Sequence, residues 1–228
     1  VGDTVELLVH DIFSVADAVS AKDGGTFSGT IAAAGYSSST AGTSNYIAGV
    51  NAGNSIQAGG NYNVTVGDEA GTAITTGDDN VAIGYAAGDA LTTSSRNVAV
   101  GYEALSTATA FNENTAVGYR ALKASTDGYS NTAVGVNTLL ANTTGNHNTA
   151  IGHAAGTAIT TGIYNTLIGG LAGDAFTDAD YNVAVGTQAL SLDTQGSRSV
   201  AIGHAVLQNQ NFTSATDANN TAVGFSAG

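Results

Sequence analysis

Short stretches in which β-branched and small residues alternate recur along most of the chain, each with the pattern Asn-x-Ala-Val/Ile-Gly. In residues 97–101, for example, Val98 and Val100 flank Ala99. An alternation with a period of two is typical of a β-strand, whereas repeats built from helices show an apolar stripe with a 3.6-residue period and few glycines. The pattern therefore predicts an all-β chain with one short strand in each repeat.

The repeats are spaced seventeen residues apart over most of the array, and the last spacing is twenty-one residues. One repeat holds too little apolar surface to fold alone, so neighbouring repeats must stack and share a core. We predict a parallel β-solenoid, or β-roll, of about ten turns over residues 61–228, and a degenerate copy at residues 45–49 is a candidate first turn. The repeats begin at Asn63, Asn80, Asn97, Asn114, Asn131, Asn148, Asn165, Asn182, Ser199 and Asn220.

Stacking places equivalent residues about 4.8 Å apart in columns, or ladders, along the solenoid. We expect each Asn to hydrogen-bond to its copies above and below and to tolerate left-handed backbone geometry, and the Gly four residues later to supply a positive φ. The predicted structural ladders are Asn80, Asn97, Asn114, Asn131, Asn148, Asn165 and Asn182, with Gly84, Gly101, Gly118, Gly135, Gly152, Gly169 and Gly186. A Thr ladder lies five residues before the Asn, at Thr75, Thr92, Thr109, Thr126, Thr143, Thr160, Thr177 and Thr194.

Two kinds of turn are predicted from the residues eight and eleven positions after each Asn, because their sizes vary in opposite directions. Where the first is Gly, as at Gly88, the second is large, as at Leu91. Where the first is Leu, as at Leu105, the second is small or polar, as at Ala108. The two positions are therefore expected to share one space in the core, with one large apolar side chain per turn.

The N-terminal region departs from the repeat. Val5, Leu8, Ile12, Val15 and Val19 are spaced three or four residues apart, which predicts a short helix over residues 1–22. Its β-branched seam favours a three-stranded coiled coil, and a helix that caps the first turn is the alternative. Residues 23–60 are expected to form a β-rich transition, and the array is expected to continue beyond Gly228, where the sequence stops in mid-repeat.

Composition excludes several functions. The chain has 228 residues, no Cys, 5 Lys and Arg, 18 Asp and Glu, and a net charge of −13. Thiol chemistry is absent, nucleic acid is an unfavourable partner, and no apolar run is long enough for membrane insertion. His10, His147, His153 and His204 have no Ser or Asp partner at a motif spacing, so we expect no enzyme and no cofactor. Asp174, Asp178 and Asp180 are weighed as Ca²⁺ ligands against a simpler interpretation as solvated carboxylates.

The candidate binding residues lie just before the Asn ladder. His147, Tyr164 and Tyr181 fall on three consecutive turns, with Tyr129 one column away. Such a strip could stack on sugar rings or contact a protein, although ladder stacking is the favoured interpretation. A second strip, Tyr85, Tyr102 and Tyr119, follows the corner Gly.

Residues 80–84 and their copies resemble the head repeats of trimeric autotransporter adhesins, which are left-handed parallel β-rolls. The Gly-Tyr-x-Ala-Leu continuations at 101–105 and 118–122 resemble repeats of phage tail-fibre proteins. The resemblance covers about residues 60–228. The adhesin repeat is shorter and its Asn lies one residue further before the hydrophobic triplet, so the handedness does not carry over directly.

The resemblance implies an extracellular homotrimeric fibre that attaches to a host cell-surface glycan or protein receptor and joins other fibre or particle proteins. A virion tail fibre or appendage is favoured, and a bacterial surface adhesin is the alternative. We expect the small Ala face of the strands to form the subunit contact. The alternative of another class is an ice-binding solenoid, suggested by the Thr ladder.

Overall fold

The structure is a computed structural model that describes residues 41–109 and 112–228. The predicted helix over residues 1–22 and the first part of the transition over residues 23–60 lie outside the described residues. Within them the chain forms thirteen short strands and no helix. The strands are β1 (Tyr46–Ala48), β2 (Val64–Val66), β3 (Val81–Ile83), β4 (Val98–Val100), β5 (Thr115–Val117), β6 (Thr132–Val134), β7 (Thr149–Ile151), β8 (Thr166–Ile168), β9 (Val183–Val185), β10 (Gly196–Ser197), β11 (Val200–Ile202), β12 (Thr216–Asp217) and β13 (Thr221–Val223).

Eleven of these strands form one parallel sheet in the order β1-β2-β3-β4-β5-β6-β7-β8-β9-β11-β13. Each residue pairs with its own copy in the next repeat, so that Ala99 lies beside Ala82 on one side and Ala116 on the other. The remaining pair, β10 and β12, joins the turn that ends before Ser199 to the longer turn that follows it. The predicted all-β parallel solenoid with one repeat per turn is confirmed.

The array begins earlier than residue 61. Strand β1 pairs in register with β2, and Asn45 Oδ1 accepts a hydrogen bond of 2.8 Å from the main-chain N–H of Asn63. The degenerate copy at residues 45–49 is therefore a turn of the solenoid. The described part of the predicted transition, residues 41–60, belongs largely to that turn.

The alternating strand residues face in the direction opposite to the one expected. The central alanines, such as Ala99 and Ala116, are completely buried, while the flanking Val, Ile and Thr side chains are half-buried or exposed. The expectation that an Ala face forms subunit contacts is therefore wrong for these strands. Most turns place a small side chain at this inward position, and a large exception, the fully buried Leu167, lies against Gly156 and Gly173, which carry no side chain.

The rest of the core is filled by one large anchor per turn, as the two-turn pattern predicted. In Leu turns, Leu105 and its partner Ala108 are both fully buried. In Gly turns, a Cβ at Gly88 would lie 2.8 Å from Leu91 Cδ1, and a Cβ at Gly173 would lie 2.6 Å from Phe176 Cδ2. The anchor therefore occupies the space that a side chain at the glycine would need.

Candidate functional site

The Asn ladder joins successive turns through buried amides. Asn97 donates from its main-chain N–H at 3.0 Å and from Nδ2 at 3.1 Å to Oδ1 of Asn80. Asn80 Nδ2 donates to the carbonyl of Ser94 at 2.7 Å as well as to Asn63 Oδ1 at 3.0 Å. The stacked amides that the sequence predicted are present, and they face the interior, where they satisfy backbone groups of the neighbouring turn.

Left-handed backbone geometry occurs next to the ladder and not on it. The residue just before each ladder Asn has a φ near +60°, as at Arg96 with φ 61° and Tyr164 with φ 57°. The expectation that the ladder Asn itself uses this conformation is therefore wrong. This conformation directs the side chain of the residue before each ladder Asn outward. The column that these side chains form holds most of the candidate binding residues.

The corner glycines have the predicted positive φ, between 124° and 139° from Gly84 to Gly186. They also face one another across turns, because a Cβ at Gly135 would lie 2.4 Å from the carbonyl oxygen of Gly152. No side chain fits between carbonyl groups stacked this closely. The glycine ladder is therefore fixed by both backbone conformation and packing.

The Thr ladder is committed to internal hydrogen bonds. Thr143 Oγ1 donates to the carbonyl of Thr160 at 3.0 Å, and Thr160 Oγ1 donates to the carbonyl of Thr177 at 3.1 Å. Each carbonyl accepts a main-chain N–H of the same neighbouring turn at 2.9 Å. These hydroxyl groups join successive turns by hydrogen bonds, so their protons are not available to bind an external ligand.

The candidate binding residues are brought together as one stack of rings. His147 and Tyr164 are stacked with ring centroids 4.8 Å apart and an 11° interplanar angle, and Tyr164 and Tyr181 follow at 5.1 Å and 6°. Tyr129 contacts His147 edge-on at 5.1 Å. The guanidinium of Arg198 lies 5.2 Å from the centre of the Tyr181 ring and extends the stack by one turn.

At the centre of the stack this arrangement leaves the edge of the Tyr164 ring, and not its faces, for a ligand. The Tyr164 ring is stacked between His147 and Tyr181, and the Arg198 guanidinium lies over the Tyr181 ring. Sugars stack on aromatic residues through the ring face, so the predicted stacking of a glycan would require the column to open. The exposed tyrosine edges and hydroxyls are suited instead to hydrogen bonding.

The second strip stacks in the same way and is reinforced by charge. Tyr85, Tyr102 and Tyr119 stack at 5.2 and 5.4 Å, and the guanidinium of Arg120 lies 5.1 Å from the centre of the Tyr119 ring. Beside it, Glu103 pairs with Lys123 at 2.6 Å and with Arg120 at 2.8 Å. The hydrogen bond from Lys123 is the main reason that the pKa of Glu103 is lowered, with Arg120 also contributing.

The three Asp residues weighed as calcium ligands have separate surroundings. Asp178 accepts a hydrogen bond from Thr161 Oγ1 at 2.6 Å, and Asp180 accepts one from the main-chain N–H of Ile163 at 2.8 Å. Burial raises the pKa of Asp174 and of Asp180. Among the described residues, no group of three or more His, Cys, Asp or Glu side chains is placed so that it could hold a metal ion.

Sequence reasoning missed the outward face of the large sheet. From β2 onward, both outward positions of every strand in that sheet are Val, Ile or Thr. The side chains remain accessible along the whole sheet, as at Ile151, Ile168 and Ile202. The same alternation that predicted the strands contained this face, but alternation alone does not say which side is buried.

Comparison with protein-family models, curated proteins and solved structures finds no match to this chain. Within the described residues, no helix is long and apolar enough to span a membrane.

Proposed function

We propose that the chain is the shaft or receptor-facing part of a homotrimeric surface-attachment fibre, such as a virion tail fibre or appendage, that works outside the cell without catalysis. The observation that carries this proposal is the long, uncharged, β-branched face on the outside of the sheet. A bacterial surface adhesin remains the alternative within the same class.

The outward sheet face has the chemistry of a protein interface. Its two columns hold twenty side chains from β2 to β13, all of them Val, Ile or Thr. β-branched side chains lose little conformational entropy when they are covered, because their χ1 angles are already restricted. At roughly 50 Å² each, the face would bury on the order of 1,000 Å² per copy, compared with about 800 Å² per partner in a standard interface.

Charge favours the same arrangement. The four basic side chains in the described residues, Arg96, Arg120, Lys123 and Arg198, are all paired with acids of neighbouring turns. The excess acidic groups therefore give the remaining surface a negative potential, in keeping with the net charge of −13. Copies would approach most easily through the neutral sheet face.

The solution mass tests the assembly directly. One chain has a mass of 22.4 kDa, and light scattering after size exclusion is expected to give three times that value. A monomer across the accessible concentration range would contradict the trimeric fibre.

The stack of His147, Tyr164 and Tyr181 is the proposed contact with a host receptor, through its exposed edges. We would compare the unaltered protein with a Tyr164→Ala/Tyr181→Ala variant on a glycan array. A Tyr85→Ala/Tyr102→Ala variant removes two stacked rings of the other strip and serves as the matched control. Loss of binding confined to the first variant is expected, whereas equal binding by all three proteins would assign the stack a structural role.

Ice binding is a second candidate function. The observation that favours it is not the Thr ladder, which suggested it from the sequence, but the outward face of the sheet. The Thr ladder donates its hydroxyls internally, but four consecutive strands, β5 to β8, present one Thr and one Val or Ile outward with one residue between them. A regular, rigid, uncharged array of methyl and hydroxyl groups suits ordered water. This candidate requires an uncovered sheet face, and thermal hysteresis of a monomer would support it.

A further inference from the structure

Two adjacent core side chains have polar atoms without a hydrogen-bond partner among the described residues. Ser125 and Asn142 are fully buried and occupy the same column of successive turns. Ser125 Oγ and both amide atoms of Asn142, Nδ2 and Oδ1, are unpaired. A buried polar atom left unpaired costs about 1–3 kcal/mol, so three in one place need a partner.

Apolar side chains occupy the same column one turn before and one turn after this polar pair. One turn before Ser125 lies Ala108, and one turn after Asn142 lies Ile159, and both are fully buried. Neither side chain can donate or accept a hydrogen bond. The partner must therefore lie between the two polar turns or beside them.

The Asn ladder shows why Ser125 and Asn142 do not bond directly. Two asparagines on successive turns reach each other, as Asn165 Nδ2 reaches Asn148 Oδ1 at 3.0 Å. Serine is shorter than asparagine, so the same stacking leaves a gap. Two hydrogen bonds of about 2.8 Å that meet at a tetrahedral angle span about 4.6 Å, close to the spacing of about 4.8 Å between turns.

The main chain of two glycines lies next to the side chains of Ser125 and Asn142. A Cβ at Gly128 would lie 3.0 Å from Ser125 Oγ, and a Cβ at Gly145 would lie 3.1 Å from Asn142 Nδ2. Both polar groups thus lie against main chain that carries no side chain. The carbonyl oxygen of the next turn lies 2.7 Å from the Cβ position of Gly128 and 2.4 Å from that of Gly145, so this side of the pair is packed by main chain and shielded from solvent.

We propose that the core holds an internal water site between the turns of Ser125 and Asn142, in which one water molecule bridges Ser125 Oγ and the Asn142 side-chain amide. A water with two to four polar partners is the usual occupant of such a position. The site also explains how the fold tolerates Asn142 at a position where the next two turns carry the buried apolar Ile159 and Phe176.

A crystal structure of the unaltered protein at a resolution that places internal waters tests the site. We expect a solvent peak within hydrogen-bond distance of both Ser125 Oγ and one amide atom of Asn142. An empty gap, a direct bond between the two side chains, or a peak with the short contacts of a metal ion would each overturn the proposal.

A variant gives a second test in solution. Ser125→Asn is expected to bond directly to Asn142, as the ladder asparagines do, and to displace the water. Water magnetic relaxation dispersion should then report one fewer long-lived water than in the unaltered protein, while the exposed substitution Ser214→Asn should leave the number unchanged. An unchanged number in a folded Ser125→Asn variant would contradict the site.

Discussion

At the scale of the residue, the corner glycines satisfy two independent constraints. Gly152 has a φ of 135°, and a Cβ there would lie 2.6 Å from the carbonyl oxygen of Gly169. Gly152→Ala is expected to lower the free energy of unfolding by about 3 kcal/mol, from strain and the backbone clash together. Gly170→Ala is the control, because its nearest contact would be 3.9 Å away, and denaturant unfolding should show a change within about 0.5 kcal/mol. Equal losses would show that glycine is not specifically required at the corner.

The Asn ladder makes a related prediction about single residues. Asn131 Nδ2 donates to the carbonyl of Gly145 at 2.8 Å, and Asn131 Oδ1 accepts from the main-chain N–H of Asn148 at 2.9 Å. Asn131→Ala leaves both backbone groups buried and unpaired, so we expect a loss of about 2–4 kcal/mol in chemical unfolding. The exposed Asn54→Ala serves as control, and a similar small effect in both variants would contradict the role of the ladder.

The sequence predicted these ladders because an unbroken column of identical residues is visible in the spacing alone. It did not predict that the left-handed conformation belongs to the preceding position, where residues as different as Arg96, His147 and Tyr164 occur. Neither Arg nor Tyr is a residue type that favours a positive φ. The conformation is imposed by the stacked turn and not by local preference.

At the scale of the element, one turn can exchange its anchor for the other type. Leu105→Gly removes a fully buried side chain and should cost about 3 kcal/mol, somewhat reduced because Leu105 has an unfavourable φ of 51°. Ala108→Ile alone should overpack the core and cost about 1–3 kcal/mol. The double variant should recover more than half of the combined loss, because it reproduces the arrangement of Gly88 and Leu91.

A double-mutant cycle from thermal or denaturant unfolding measures this coupling. If the losses of the two single substitutions simply add, the two positions do not share a space.

The pairing of these two positions was visible in the sequence as opposite changes in side-chain size. The direction of the strand alanines was not visible in the sequence, because alternation alone does not say which side of a strand is buried.

At the scale of the whole molecule, charge makes stability depend on pH. Burial is the main cause that raises the pKa of Asp89, Asp174 and Asp180 in the folded state. The folded protein therefore binds more protons than the unfolded chain, and stability falls as pH rises from the ordinary aspartate pKa through the raised values. Glu103 has the opposite shift, but its lowered pKa means that its ion pairs are lost only below the ordinary glutamate range.

We therefore expect the Tm to rise as the pH is lowered from neutral towards the ordinary aspartate pKa of about 3.9, where the net negative charge also falls. Asp174→Asn should weaken this dependence and raise the Tm near neutral pH. Asp127→Asn, at an exposed position, corrects for the loss of one charge. A Tm that falls steadily over this range would contradict the argument.

The sheet face connects the structure of one chain to its proposed assembly. Val117 and Ile168 point outward near the middle of the sheet, from β5 and β8. Lysines at both positions would place charges inside the proposed contact, where each must lose its hydration without a partner. The Val117→Lys/Ile168→Lys variant is therefore expected to have the mass of one chain, with an unchanged circular dichroism spectrum, because the substituted side chains lie outside the core.

The control variant, Thr76→Lys/Thr144→Lys, adds the same charge at exposed positions away from this face and should retain the mass of three chains. A trimer that survives lysines on the sheet face would mean that the copies meet through another surface, and the face would then remain free for the ice-binding alternative.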